Sequence, residues 1–250
     1  MYQRTDYYCG EYIFTEKRYP RGYAGKPKRN RRRKETPEAM QRENERQRRK
    51  KLQRLILANF RIGDFHLTLS YRKDERPESA EEATKRIQGF IRKLRREYRK
   101  RGHELKYIYV TEIGKKGSCH HHMLIPNLPD LMELVRRFWT YGHEDYKPLY
   151  EDGAFEKLAE YLVKKETKEE ITGCTYHPSR NLTKPAERRE RINAKCWARD
   201  PRPRKGYTII KESIINGENP VTGYPYQEYI ERRNLPPGRK GGRSERSGRV

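Results

Sequence analysis

A β-hairpin is predicted where residues 105–125 read LKYIYVTEIGKKGSCHHHMLI. Both arms are rich in β-branched and aromatic residues, which favour strands, and the glycines at residues 114–117 favour a turn between them. With the turn centred on Lys116, Glu112 lies opposite His120 and Val110 lies opposite His122. Directly opposed residues of an antiparallel pair share one face of the sheet. The register therefore places one carboxylate and two imidazoles on the same face.

The three consecutive histidines alternate between the two sides of the second arm. His120 and His122 face the same side, about 6–7 Å apart along the strand, whereas His121 faces the other side and needs a polar partner there. Two neutral imidazoles and one carboxylate suit a divalent metal ion and leave positions open for a substrate oxygen. We therefore predict a metal site at Glu112, His120 and His122. The same ligands suit iron in an oxygenase, but the strongly basic chain argues against that chemistry.

The elements around the hairpin indicate the fold class. Residues 65–71 alternate with a period of two and predict a strand. A capping box at Ser79 and apolar residues at helical spacing predict a helix that ends at Gly102. Further elements are predicted at residues 130–138 (helix), 154–168 (helix) and 207–212 (strand). The order strand–helix–strand–strand–helix predicts an α+β fold, in which helices pack on a ferredoxin-like, RRM-like antiparallel sheet.

The composition is strongly basic, with 59 Lys and Arg residues, 35 Asp and Glu residues and a formal net charge of +24. Such a charge favours a polyanionic partner, with nucleic acid first and an anionic membrane surface second. No apolar run approaches the roughly 18–20 residues of a spanning helix, and residues 1–14 lack a signal-peptide core. We therefore expect a soluble cytoplasmic protein without a membrane partner. The four cysteines form no CxxC pair, which argues against a zinc knuckle or a disulfide framework.

Three regions are predicted along the chain. Residues 1–59 form a basic N-terminal extension, residues 60–215 a catalytic domain, and residues 216–250 a C-terminal tail that is disordered from residue 236. Residues 1–25 are rich in tyrosine, and the sequence does not assign them to an element. For the basic run at residues 26–54, we favour an arm that follows nucleic-acid phosphates over a solvated tail or a surface helix.

A tyrosine lies beside the apolar stripe of the predicted helix at residues 154–168. At about 100° per residue, Tyr161 falls about 60° outside that stripe, between core and solvent. Four lysines surround it on the same side: Lys157, Lys164, Lys165 and Lys168. Nearby ammonium groups favour the phenolate and can hold a phosphate group. We therefore predict that Tyr161 attacks a phosphodiester; the alternative is a boundary tyrosine among solvated lysines.

The motifs resemble those of the HUH endonucleases, the rolling-circle replication initiators of bacterial plasmids and phages. Over residues 60–170 the chain shows, in the family order, an apolar strand at Phe65–Ser70, a His-x-His strand preceded by a carboxylate, and a tyrosine followed three residues later by lysine. The second motif corresponds to Glu112, His120 and His122, and the third to Tyr161 and Lys164.

This resemblance implies an HUH endonuclease core and a site-specific nickase that starts rolling-circle replication through a covalent 5′-phosphotyrosine intermediate. It further implies that the metal is Mg²⁺ or Mn²⁺ and that Lys164 positions the tyrosine or the scissile phosphate. The expected partners are single-stranded or hairpin origin DNA, together with the host helicase and polymerase in a bacterial cell. Four residues are expected to contact DNA: Lys157, Lys165, Lys168 and Arg180.

Two features depart from the family pattern. His121 stands where the family usually has a bulky apolar residue. Initiators with two nucleophiles usually carry a second tyrosine one helical turn away, but Lys165 occupies that position, so a single-tyrosine cycle is expected. Two other functions stay open: a transposase or relaxase with the same chemistry, and a non-catalytic nucleic-acid-binding protein.

A few polar and aromatic residues have weaker functional signals. Arg180 lies in a Ser-Arg-Asn sequence that suits either a phosphate contact or an ordinary turn. His66 shares a strand face with Thr68, and we expect a surface histidine there. Trp139 and Trp197 are able to stack on unpaired bases, but we expect both to serve in packing.

Overall fold

The computed structural model describes residues 1–20, 37–113, 118–150, 155–163, 176–219 and 222–234. These residues form an α+β fold with two five-stranded antiparallel sheets, which confirms the predicted fold class. None of the helices in these ranges is long and apolar enough to span a membrane. Besides a short 3₁₀ turn at Lys73–Glu75, the elements follow in this order: β1 (Tyr2–Cys9), β2 (Tyr12–Arg18), α1 (Pro37–Asn59), β3 (Phe65–Ser70), α2 (Ala80–Lys100), β4 (Ile108–Ile113), β5 (Cys119–Ile125), α3 (Leu131–Phe138), β6 (Glu144–Pro148), α4 (Glu156–Val163), β7 (His177–Pro178), β8 (Ala186–Ile192), β9 (Tyr207–Glu218) and β10 (Pro225–Arg233).

The central sheet has the strand order β6-β3-β5-β4-β7. Its segment β3-α2-β4-β5-α3-β6 has the β-α-β-β-α-β order of a ferredoxin-like fold, as the sequence indicated. The sequence missed β6 because Glu144–Pro148 reads EDYKP, which has no apolar alternation and ends in proline. The helix α2 begins as predicted, since the Ser79 side chain accepts a hydrogen bond from the Glu82 backbone N–H.

Helices cover both faces of the central sheet. On one face, α2 and α3 bury Leu67 and Met123 in a large apolar cluster. On the other face, α1 and α4 enclose Val110 and Leu124 in a second cluster. Trp139 is buried in the first cluster, as expected for a packing residue, and its indole N–H donates to the Ser70 carbonyl at 2.9 Å. Side chains of the central sheet therefore point either to the α2 face or to the α4 face.

The second sheet has the strand order β8-β1-β2-β10-β9 and includes residues 1–20, which the sequence left unassigned. The predicted strand at residues 207–212 extends to Glu218 and belongs to this sheet, paired with β10. The sheet thus joins strands from all three predicted regions, 1–59, 60–215 and 216–250. Trp197 stacks on Tyr19 beside it, so this tryptophan also serves in packing.

Helix α1 packs between the second sheet and the α4 face of the central sheet. Its buried Lys50 has its ammonium nitrogen 2.8 Å from a Glu16 carboxylate oxygen and 2.7 Å from a Glu228 carboxylate oxygen. A buried cation needs such partners. The prediction that the whole basic run at residues 26–54 follows phosphates is therefore wrong for the end of that run, which is structural. Residues 21–36 and the expected disordered tail from residue 236 lie outside the described residues.

Candidate active site

The strand pairing confirms the predicted hairpin register. In β4 and β5, Glu112 is paired with His120 and Val110 with His122. On the other side of β5, the strand β3 places Thr68 opposite His122. Because paired residues share a face, the carboxylate and both imidazoles lie on the α4 face of the central sheet.

His122 is the centre of a polar cluster on this face. Its Nε2 lies 3.2 Å from Glu112 Oε2 and 3.1 Å from the Tyr161 hydroxyl oxygen, and its Nδ1 lies 3.3 Å from Thr68 Oγ1. The Tyr161 ring meets the imidazole edge to face, with 5.2 Å between ring centroids. The imidazole therefore contacts both a carboxylate and a phenol, although the three groups come from three separate elements.

The predicted metal ligands are only partly gathered. Glu112 and His122 are in contact, but the His120 ring lies 6.5 Å from the His122 ring. Among the described residues, no three His, Cys, Asp or Glu side chains lie close enough to hold a metal ion together. The donor chemistry does fit a divalent ion, since 3.2 Å is a separation that two ligand atoms adopt when each lies about 2.0–2.2 Å from one metal.

Tyr161 lies on α4 at the boundary between core and solvent, with 44% of the residue exposed. Partial burial, followed by the Glu112 carboxylate, raises the pKa of Tyr161. The sequence predicted the opposite direction, from neighbouring lysines. Of those lysines, Lys157 is exposed on the same helix, whereas three fall outside the described residues: Lys164, Lys165 and Lys168.

His66 also belongs to this cluster, which corrects the expectation of a surface histidine. Its ring lies 5.5 Å from the His122 ring and 6.0 Å from the Tyr161 ring. Burial, and then the nearby His122, lower the pKa of His66 to about 4. Its Nε2 is buried and has no hydrogen-bond partner among the described residues. The period-two alternation of β3 carried this signal, since it places His66 and Thr68 on one face.

His121 points to the opposite, α2 face and is fully buried. Its Nε2 lies 2.8 Å from the Tyr71 hydroxyl and its Nδ1 lies 2.9 Å from the Thr111 hydroxyl. Burial lowers the pKa of His121 to about 3, so the ring is neutral. A hydroxyl can donate or accept, so each ring nitrogen finds the partner that it needs. The structure thus explains how a polar ring replaces the usual apolar residue.

Arg180 lies away from the cluster. The neighbouring Ser179 is buried, its backbone N–H donates to the Tyr107 carbonyl at 2.8 Å, and its hydroxyl accepts from the Tyr107 backbone N–H at 3.1 Å. Tyr107 precedes the end of β4 that is farther from Glu112, about 17 Å along the strand at about 3.4 Å per residue. The structure therefore favours an ordinary docked turn at residues 179–181 and does not bring Arg180 to Tyr161.

Comparison with known proteins agrees with this fold and its polar cluster. Residues 64–170 match a family of replication proteins, described as replication-associated protein ORF2. The match confirms the resemblance to replication proteins that the sequence motifs indicated, and it contains Glu112, His120, His122 and Tyr161. No curated protein and no solved structure matches the chain significantly.

Proposed function

We propose that this protein is a site-specific single-strand DNA endonuclease that starts rolling-circle replication of a plasmid or phage. The proposal rests on one observation: the Tyr161 hydroxyl lies 3.1 Å from His122 Nε2, and this nitrogen lies 3.2 Å from Glu112 Oε2. A phenol held against an imidazole and a carboxylate, in a domain that matches replication-associated proteins, is placed for attack on a phosphodiester. An isolated surface tyrosine would lack these partners.

In the proposed reaction, the Tyr161 oxygen attacks the scissile phosphorus. A tyrosine–phosphate ester bond forms and the bond from phosphorus to the 3′ oxygen breaks. The phenolic proton is released and the 3′ oxygen takes up a proton, so no co-substrate is consumed. Because the covalent 5′-phosphotyrosine link keeps the energy of the phosphodiester, the strand can be rejoined by the reverse reaction.

Glu112, His120 and His122 would hold Mg²⁺ or Mn²⁺, since two imidazoles and a carboxylate suit such an ion. Bound there, the ion would offset charge on the phosphate oxygens and on the leaving 3′ oxygen. The protein's own contribution is to orient Tyr161 through His122 and to place Thr68 beside the same ring.

Contacts to DNA come in this proposal from basic side chains near Tyr161. Lys164 positions the tyrosine or the scissile phosphate, and phosphate contacts are assigned to Lys157, Lys165, Lys168 and, farther from Tyr161, Arg180. The substrate is single-stranded or hairpin origin DNA. The free 3′-OH then primes synthesis by the host polymerase, with a host helicase opening the duplex, in the bacterial cytoplasm.

The test is adduct formation on a labelled single-stranded oligonucleotide from a candidate origin, with Mn²⁺ present. We expect a covalent protein–DNA adduct in denaturing gels and a DNA-modified Tyr161 peptide in mass spectrometry. Tyr161→Phe should form no adduct, whereas the matched control Tyr8→Phe, at an exposed position on β1, should react like the parent.

The opposite result is equally clear. If the Tyr161→Phe variant forms as much adduct as the parent, the proposed nucleophile is wrong. If the parent binds DNA without any adduct and binding is indifferent to Ala at His120 and His122, the protein is a non-catalytic DNA-binding protein. A transposase or relaxase would form the same adduct on a transposon end or a transfer origin.

A further inference from the structure

Helix α2 carries a basic surface on the side of the central sheet opposite Tyr161. The helix buries its apolar residues against Leu67 and Met123, on the α2 face. Its remaining surface faces solvent and is dominated by basic residues that are all exposed: Lys85, Arg92, Lys93, Arg95, Arg96, Arg99 and Lys100.

Four of these residues form a straight row, which we call the α2 basic row: Lys85, Arg92, Arg96 and Arg99. At about 100° per residue they lie within an arc of about 60°, opposite the buried stripe. At 1.5 Å per residue the row is about 21 Å long. The positive charges therefore line one side of the helix instead of being scattered over it.

The row has no acidic partners. Glu97 is occupied by Lys100 and Arg101, each with a nitrogen at 2.8 Å, and Glu82 is occupied by Arg86. Within the part of the chain that the structure describes, no carboxylate lies within 4.0 Å of any member of the α2 basic row.

Helix stability does not explain the row. Like charges four residues apart, such as Arg92 and Arg96, destabilise a helix. The helix dipole favours cations only in the last turn, which includes Arg99 but neither Lys85 nor Arg92. A row of cations without carboxylate partners along a whole helix instead fits a ligand with regularly spaced negative charge.

We propose that the α2 basic row binds the phosphate backbone of duplex DNA. Single-stranded DNA is a poorer fit, because the aromatic residues of α2, Phe90 and Tyr98, are buried and cannot stack on unpaired bases. A membrane surface is a poorer fit, because the exposed side of α2 carries no apolar residue to insert. A helix about 10–12 Å across fits a major groove about 12 Å wide.

This binding site goes beyond the proposed nicking function and stands apart from it in the fold. Since α2 and Tyr161 lie on opposite faces of the central sheet, the row binds duplex next to the origin while the other face binds the unpaired strand. The length of the row matches about six base pairs at 3.4 Å per pair. The contacts are to phosphates, so this binding is indifferent to sequence.

The test compares two full-length variants with equal loss of charge. In the first, glutamine replaces every member of the α2 basic row. In the matched control, glutamine replaces four exposed basic residues around the second sheet: Arg188, Arg202, Lys205 and Lys211. Glutamine favours helix, so α2 is retained, and circular dichroism checks this.

Binding of a labelled duplex without an origin is measured by fluorescence anisotropy over a range of salt concentrations. We expect the α2 variant to lose affinity by about tenfold or more and its salt slope to decrease by up to about 3.6, from about 0.9 per phosphate contact. The control variant should lose much less, and restoring charge with Lys at residues 92, 96 and 99 should restore affinity. Adduct formation on a single-stranded oligonucleotide should match the parent.

Three results would overturn the proposal. One is an α2 variant that binds duplex like the parent, and another is a control that loses as much affinity as the α2 variant. The third is loss of binding to vesicles containing phosphatidylserine without any loss of duplex binding. Failure of nicking in the parent protein would leave this measurement unaffected, so the two proposals fail separately.

Discussion

His121 and His122 are neighbours in β5, yet their side chains lie on opposite faces of the central sheet in different chemical surroundings. His121 is enclosed in the apolar cluster under α2 and is satisfied by two hydroxyl groups. His122 contacts a carboxylate and a phenol beneath α4. The same imidazole is thus a structural group on one face and part of a candidate active site on the other.

The comparison shows that partners, more than residue type, determine what a histidine does. Hydroxyl partners complete the hydrogen bonds of a neutral ring and leave it chemically quiet. A carboxylate and a phenol are ionisable, and they keep part of their surface toward solvent, where a substrate can reach them. Substitutions on the two faces should therefore have separable effects.

The largest expected effect is on the α4 face. His122→Ala should lower the rate of adduct formation by about 10²–10³-fold, since it removes the group that holds Tyr161 and a proposed metal ligand. The melting temperature should change little, because the cavity opens toward solvent. Single-turnover cleavage and thermal unfolding measure the two quantities, and a variant that cleaves normally would contradict the assigned site.

The next effect is on the α2 face. His121→Ala should lower the free energy of unfolding by about 2–4 kcal/mol, because it leaves a cavity and strands the buried hydroxyls of Tyr71 and Thr111. Urea unfolding measures this loss. The control is His120→Ala, at the preceding residue on the opposite, half-buried face, and it should cost much less; equal losses would remove the contrast between the faces.

A smaller effect is expected for His66, which extends the α4 cluster. His66→Ala should slow adduct formation about tenfold, because its ring packs against both His122 and Tyr161 and keeps them in place. The measurement is the single-turnover rate with saturating oligonucleotide. Recovery of that rate in His66→Phe would assign the effect to packing, whereas an unchanged rate in His66→Ala would exclude His66 from the site.

The smallest effect is the pH dependence of stability. The pKa of His121 is about 3 in the folded protein, below its ordinary value of 6.5. Between these values the unfolded chain binds more protons than the folded protein, so stability is complete above about pH 6.5 and falls as the pH decreases toward 3. Unfolding at several pH values should show a shallower decline in His121→Gln, and an identical decline would contradict a buried neutral ring.

Part of this structure was predictable because it depends on neighbours in sequence. The strands β4 and β5 are joined by a short turn, so the alternation of side chains and the turn position were enough to pair Glu112 with His120. The helix α2 was equally clear, since its cap at Ser79 and its apolar spacing are local signals. The predicted face and register of the metal ligands are confirmed, while metal binding itself stays a prediction.

Other parts were not predictable from local patterns. The strand β1 reads YQRTDYYC and β6 reads EDYKP, and neither shows a clean apolar alternation, because buried polar partners replace apolar contacts or the strand lies at an edge. The direction of the Tyr161 pKa was also wrong, because lysines near in sequence were counted and the Glu112 carboxylate across the sheet was not.

Sequence was sufficient for the choice of side chains and for the face of the sheet that each one occupies, because a strand repeats every two residues and a hairpin has one register. The contact between Tyr161 and His122 required the assembled protein. It arises because Ala159 and Leu162 of α4 pack with α1 and the central sheet, which lays the tyrosine over a strand that lies 39 residues earlier. Burial of His66 has the same origin, since long-range packing has no local pattern in the chain.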